Sequence, residues 1–286
     1  MSVPDDDNAR SAILRTFVAF REELDDYNDR RERLIKSSRD ITNLSKKVIF
    51  LLHRVINTDS ASDDRTLSLH AAQEGRKKLG EVQLLFKAMR PELTGDRFWR
   101  YQHSVSPGLQ EYIEALSFAY YIEHGMLITY ADVQRSLSDE EDGLYFPLPV
   151  SDYLLGVSDL TGELMRFAIS SISKRGPGRS KASEVSSFVR GCKADFDGFT
   201  PHVRELSKKQ HVTQQSLLKI EQAAYTITVR SSEYDLPPEM LDDIVGRHIS
   251  RFSHGHPADR GTDYPSSSRK RHRHGGDSDD ERDLDH

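Results

Sequence analysis

The sequence predicts an all-α protein, and three observations carry that reading. Between Asn8 and Asn57 there is neither proline nor glycine, and apolar side chains return every three or four residues. The same period recurs in the later long stretches, while turn-linked strand pairs and strand–helix–strand alternation are missing. The breaks between periodic stretches hold proline, glycine and clustered polar residues, which stop helices.

The first stretch (Ile13, Phe17, Phe20, Leu24, Tyr27, Leu34, Ile41, Leu44, Val48, Leu51, Val55) reads as one very long helix or two nearly continuous ones. Its outer face carries Arg30, Arg31, Arg33, Lys36, Arg39, Lys46 and Lys47 among acids, which is either a solvated face or a basic track for nucleic acid. After a polar break at 58–65, a second helix fits 67–89 and stops before the PELTG run at 91–95. A third spans about 107–124, closed by Gly125, with Pro107 as a natural first residue and Ser106 as its cap. Thr129 and Asp132 form a capping box that opens a short helix to Leu137. A loop rich in Asp and Glu follows, running to Pro147 and Pro149, and Ser151 is placed to cap the next helix. That helix has its core stripe at Leu154, Val157, Leu160, Leu164 and Ala168 and breaks at 174–179; further helices fit 183–196, 201–229 and 237–248. Past Phe252 the chain is too poor in apolar residues to offset the entropy of ordering, so a disordered tail is expected.

Composition narrows the function. With a net charge of only −6, nucleic-acid binding must use a local basic surface. Cys192 is the single cysteine, so an intrachain disulfide is impossible, and its neighbours form no nucleophile motif. The acidic start (Asp5, Asp6, Asp7) is unlike a secretion signal, and apolar runs such as 48–52 fall far short of the roughly 20 residues that span a bilayer. The expectation is a cytoplasmic protein without membrane contact. The basic run at 269–274 reads either as a nuclear localisation signal or, beside the acids of 277–285, as part of a solubilising tail.

Nucleotide-binding glycine loops, a serine-nucleophile elbow, a zinc-protease helix and paired Cys-x-x-Cys are all missing. What stands out is acid within apolar helices. Glu111 and Glu114 lie three apart on one face of a helix that is apolar nearly all round, and Asp159 and Glu163 lie four apart on another, clear of its core stripe. Gly156 and Gly162 leave room there for a close backbone or ligand. Four such carboxylates either surround a divalent ion with the hard oxygens magnesium prefers, or pair with bases such as Arg166. A di-iron bundle is excluded, because no histidine has a glutamate three positions before it.

Several blocks carry a family resemblance. The run DYLLGVSDLTGELMR at 152–166, ERLIKSSRDIT at 32–42, IFLLHR at 49–54 and GLQEYIEA at 108–115 resemble the translin family, in its translin-associated branch. EVSSF at 184–188 and the segment 217–230 add to this, so the likeness runs from about residue 11 to about residue 248. It implies a seven-helix, all-α bundle of one domain over 11–250, with a flexible N-terminus (1–10) and the charged tail (251–286) outside it. It further implies a subunit that joins translin in a barrel-shaped hetero-octamer and cleaves single-stranded RNA, as in small-RNA or tRNA-fragment processing. In that family acidic residues bind magnesium, for which manganese can substitute, and they match Glu111, Glu114, Asp159 and Glu163 here. Arg100 and His103 share the face of Glu111 and Glu114 if the helix starts before Pro107, and would then hold RNA phosphates; if it starts at Pro107, that alignment fails. The alternative is a noncatalytic helical scaffold, or an RNA-binding subunit, that stabilises translin.

Overall fold

The computed structural model describes residues 6–58, 63–139, 143–172 and 178–233. The helix expected at 237–248, the tail and the basic run at 269–274 lie outside them. Among the described residues there are seven α-helices: α1 (Asp6–Ile56), α2 (Asp64–Met89), α3 (Arg97–His124), α4 (Tyr130–Ser136), α5 (Val150–Ile172), α6 (Gly178–Phe199) and α7 (Leu206–Glu233).

The unbroken first stretch forms one helix of 51 residues. From Leu34 onward its inner stripe (Leu34, Ile41, Val48, Leu52, Ile56) is buried, whereas Ile13, Leu14, Phe17, Val18, Phe20 and Leu24 are each more than half exposed. The early part of α1 thus offers an apolar face on which none of the described residues packs closely. No described helix is long and apolar enough to cross a membrane.

Helix α3 begins at Arg97 rather than near Pro107, which sits inside it. An interior proline normally breaks a helix because it lacks an N–H and clashes with the preceding turn. Here α1 braces the helix beside the proline: the buried Ser38 hydroxyl donates to the Val105 carbonyl (3.4 Å) and accepts from the Gly108 amide (3.0 Å). Ser106 is therefore no cap. Gly125 closes the helix in the left-handed conformation (φ 69°). Thr129 caps α4 as expected, accepting from the Asp132 amide at 3.1 Å.

The acidic loop contains a short antiparallel bridge, β1 (Ser138–Asp139) with β2 (Gly143–Leu144), Ser138 facing Leu144, where no strand was expected. Gln134 ties the following segment down, donating to the Phe146 carbonyl (3.1 Å) and accepting from the Leu148 amide (3.0 Å). Helix α5 then starts at Val150, one residue before the expected cap Ser151. Turns fill 200–205, so α7 starts later than the sequence predicts.

Helix α3 packs on α1, α2 and α5, and α5 packs on α3, α6 and α7. These two are the central pair. One continuous apolar core joins all seven helices, with Phe86, Tyr112, Phe118 and Phe146 among its most buried members. The two central helices approach closely at Gly156, where a Cβ would come within 2.7 Å of the Ile113 Cβ and 2.9 Å of the Gln110 carbonyl.

Candidate metal centre

The four acids singled out from spacing ride on the central pair, Glu111 and Glu114 on α3 and Asp159 and Glu163 on α5. A cleft of about 420 Å³ opens beside them. Its walls are Lys46, Ile49, Phe50 and His53 from α1, Glu111 and Glu114 from α3, and Glu163 and Arg166 from α5. Three helices therefore build it, and the cationic side chains come from α1 and α5.

Glu163 is nearly buried; His53 Nε2 lies 2.7 Å from one carboxylate oxygen and Arg166 donates to the other at 2.7 Å. His53 is itself set by the Phe118 ring, with centroids 4.7 Å apart. Glu111 pairs with Lys46 at 3.3 Å. Asp159 pairs with Lys209 of α7, which also reaches the Gln110 amide oxygen (3.3 Å) and the Leu155 carbonyl (3.4 Å). Glu114 is the exception: among the described residues no hydrogen bond or ion pair reaches its carboxylate.

The electrostatics follow from that arrangement. Burial pushes the Glu114 carboxyl well above the ordinary carboxylate range, and the charges of Asp159, Glu163 and Glu111 push it further, with Lys209 opposing. Burial also raises Glu111, against the pull of Lys46, and Asp159, against the pull of Lys209. The two acid pairs, 45 and more residues apart in sequence, thus share one electrostatic neighbourhood. Among the described residues no three acidic, imidazole or thiol groups are gathered tightly enough to cage an ion; the carboxylates are drawn instead toward Lys46, His53, Arg166 and Lys209. The donor set nevertheless fits a hard divalent cation, since every acid supplies oxygen and, among the described residues, no hydrogen bond or ion pair already occupies the Glu114 carboxylate.

Arg100 and His103 are exposed on the first turns of α3, within the helix as one sequence reading required, but neither lines the cleft. Sequence reasoning missed Lys46, His53 and Lys209 as members of the site. Lys46, Phe50 and His53 recur at helical spacing in α1, a signal that was available; Lys209, beside Lys208 on a polar stretch, gave none.

Comparison with known proteins places these features. The profile of the translin family matches residues 29–231. The chain is 37% identical over 265 residues to translin-associated protein X of Pongo abelii, covering 84% of this chain and 86% of that protein. It is 29% identical to the translin-associated protein X homolog of Schizosaccharomyces pombe (76% and 89% covered) and 23% identical to human translin (77% and 94% covered). Among solved structures, apo-NeC3PO superposes with a TM-score of 0.54 at 18% identity, over 78% of this chain and 96% of that one, a likeness of fold.

Proposed function

The chain belongs to the translin family, and from that membership we propose that it is the catalytic subunit of a magnesium-dependent endoribonuclease, assembled with translin, that cleaves single-stranded RNA. One observation carries the reading: Glu111, Glu114 and Glu163 line one cleft between the two central helices and α1, Asp159 lies close enough to act on Glu114, and among the described residues no hydrogen bond or ion pair reaches the Glu114 carboxylate.

Glu111, Glu114, Asp159 and Glu163 would hold magnesium, or manganese in its place. A bound divalent ion supplies water activation and charge neutralisation at a phosphodiester. The other residues have roles of their own. Arg166 and Lys46, both more than half exposed at the cleft, hold phosphate oxygens. Phe50, 71% exposed on the wall, offers a face on which an unpaired base stacks, which favours single-stranded over duplex RNA. His53 keeps Glu163 turned into the site. The apolar face of α1 between Ile13 and Leu24 supports assembly with a helical partner, which we take to be translin.

The test is incubation of the chain co-purified with translin with end-labelled single-stranded RNA, with magnesium, with chelator and with manganese added back. Cleavage that needs the ion and is lost in Glu114→Gln supports the proposal. Intact RNA under all conditions, with assembly retained, would leave a scaffold or RNA-binding subunit in its place.

A further inference from the structure

Asp152 stands in the first turn of α5 and is only 2% exposed. Burying a carboxylate is costly unless donors surround it. Here three side chains of α3 do so: Ser106 Oγ donates at 2.7 Å, Gln110 Nε2 at 2.9 Å and Gln102 Nε2 at 3.3 Å. The contact lies one turn before the close approach at Gly156 and two turns before Asp159.

Because a carboxylate only accepts, it decides which way the Gln110 amide faces. With Nε2 turned to Asp152, Oε1 is left to accept from Lys209 Nζ at 3.3 Å. Lys209 in turn is the partner of Asp159. Its place on α7 is fixed by neighbouring links to α5, Gln210 to Ser158 (3.0 Å) and Thr213 to Thr161 (2.9 Å).

We propose that Asp152 and Gln110 are positioning residues, which with Lys209 form a hydrogen-bonded chain from the start of α5 to Asp159 and set the spacing and orientation of the two acid pairs. This rests on reading those acids as the ion-holding, RNA-cutting site. Gln110 immediately precedes Glu111, so the same side chain that orients Lys209 also fixes the turn of α3 that presents Glu111 and Glu114. The apolar core already holds α3 to α5 through Ile113, Leu154 and Leu155. A leucine at 152 would add to that core without desolvating a charge; what it could not supply is direction.

The experiment uses the chain co-purified with translin and the variants Asp152→Asn, Asp152→Leu and Gln110→Met. Assembly is read by size exclusion, manganese binding by electron paramagnetic resonance, and steady-state cleavage on single-stranded RNA. Asn keeps an oxygen for Ser106 and Gln110, so Asp152→Asn should stay within about threefold of wild type in cleavage and manganese affinity. Asp152→Leu and Gln110→Met should assemble, bind manganese more weakly and lose about 10- to 100-fold in kcat while KM for RNA moves by less than about twofold. Gln110 is only partly buried, so Gln110→Met keeps the test decisive if Asp152→Leu fails to assemble. Wild-type cleavage and manganese binding in Gln110→Met, or an Asp152→Asn as impaired as Asp152→Leu, would overturn the proposal. If Glu114→Gln is inactive while these variants are normal, only the positioning chain falls; if the wild-type complex neither binds manganese nor cleaves, the functional reading falls and takes the chain with it.

Discussion

Alanine placed at Gly156 and at Gly162 of α5 should move the protein in opposite directions. Both glycines are interior to the helix, and replacing either gains about 1 kcal/mol of helix propensity. At Gly162 the new methyl meets nothing within 4 Å, so the gain stands. At Gly156 it would lie 2.7 Å from the Ile113 Cβ and 2.9 Å from both the Gln110 carbonyl oxygen and the Ile113 Cγ2. Ordinary carbon contacts lie at about 3.5–4.0 Å, a shortfall of roughly 1 Å. None of these atoms can swing aside, since two are fixed to the α3 backbone and Ile113 is β-branched and fully buried. The helices must separate, an overpacking cost of about 1–3 kcal/mol. Propensity cancels between the two variants, so their difference isolates that cost and corresponds to roughly 2–12 °C in Tm for a domain of this size. Thermal unfolding of the two complexes, followed by circular dichroism, reads it directly. Gly156→Ala should also cleave more slowly, because the acid pairs ride on the helices being parted. A Gly156→Ala as stable as Gly162→Ala, with unchanged cleavage, would refute the close approach and the argument built on it.

Three further outcomes are expected. Glu111, Glu114 and Asp159 all have raised carboxyl pKa values, so between those values and the ordinary range near 4 the folded state binds more protons than the unfolded; without metal, stability should fall as pH rises through that window. Urea unfolding in chelator at pH 5 and pH 8 checks it; Glu114→Gln should flatten the slope, and a stability that climbs with pH would contradict the assignment. His53→Ala frees Glu163 and should cut cleavage by about 10- to 100-fold, with His53→Gln, whose amide nitrogen can reach the place of Nε2, partly restored; equal activity of all three forms would remove His53 from the site. Phe17→Glu with Leu24→Glu, on the exposed face of α1, should abolish association with translin in size exclusion while leaving helix content unchanged, and normal co-elution would show that this face is not the interface.

How far the sequence could be read depended on whether the deciding interaction was local. Helix α1 was legible because fifty residues without a breaker and with a steady apolar period admit little else. The cap at Thr129 was legible because its partner is three residues away. The start of α3 was not: Pro107 reads as a beginning, and what carries the helix through it is packing on α1, including a serine 69 residues earlier in the chain that bonds on both sides of the ring. The site divides in the same way. The face shared by Glu111 and Glu114, and that shared by Asp159 and Glu163, follows from helical spacing, whereas Lys209 enters only because α7 is zipped to α5 through Ser158 and Thr161. Asp152 stood inside the most recognisable run of the sequence, yet its burial among Gln102, Ser106 and Gln110 is a fact of packing.

The serine that braces α3 also bears on the order in which the chain emerges during synthesis. Residues 97–124 have a weak point at the proline, which withholds the N–H that the His103 carbonyl would otherwise accept from and crowds the preceding turn. In the fold, Ser38 braces that point from α1. Since α1 leaves the ribosome first, Ser38 is already present when the proline turn emerges, and α3 can dock on a surface made before it. A circularly permuted chain that delivers α1 last would leave the proline turn of α3 unbraced, and the side of α3 that packs on α1 uncovered, until the end of translation.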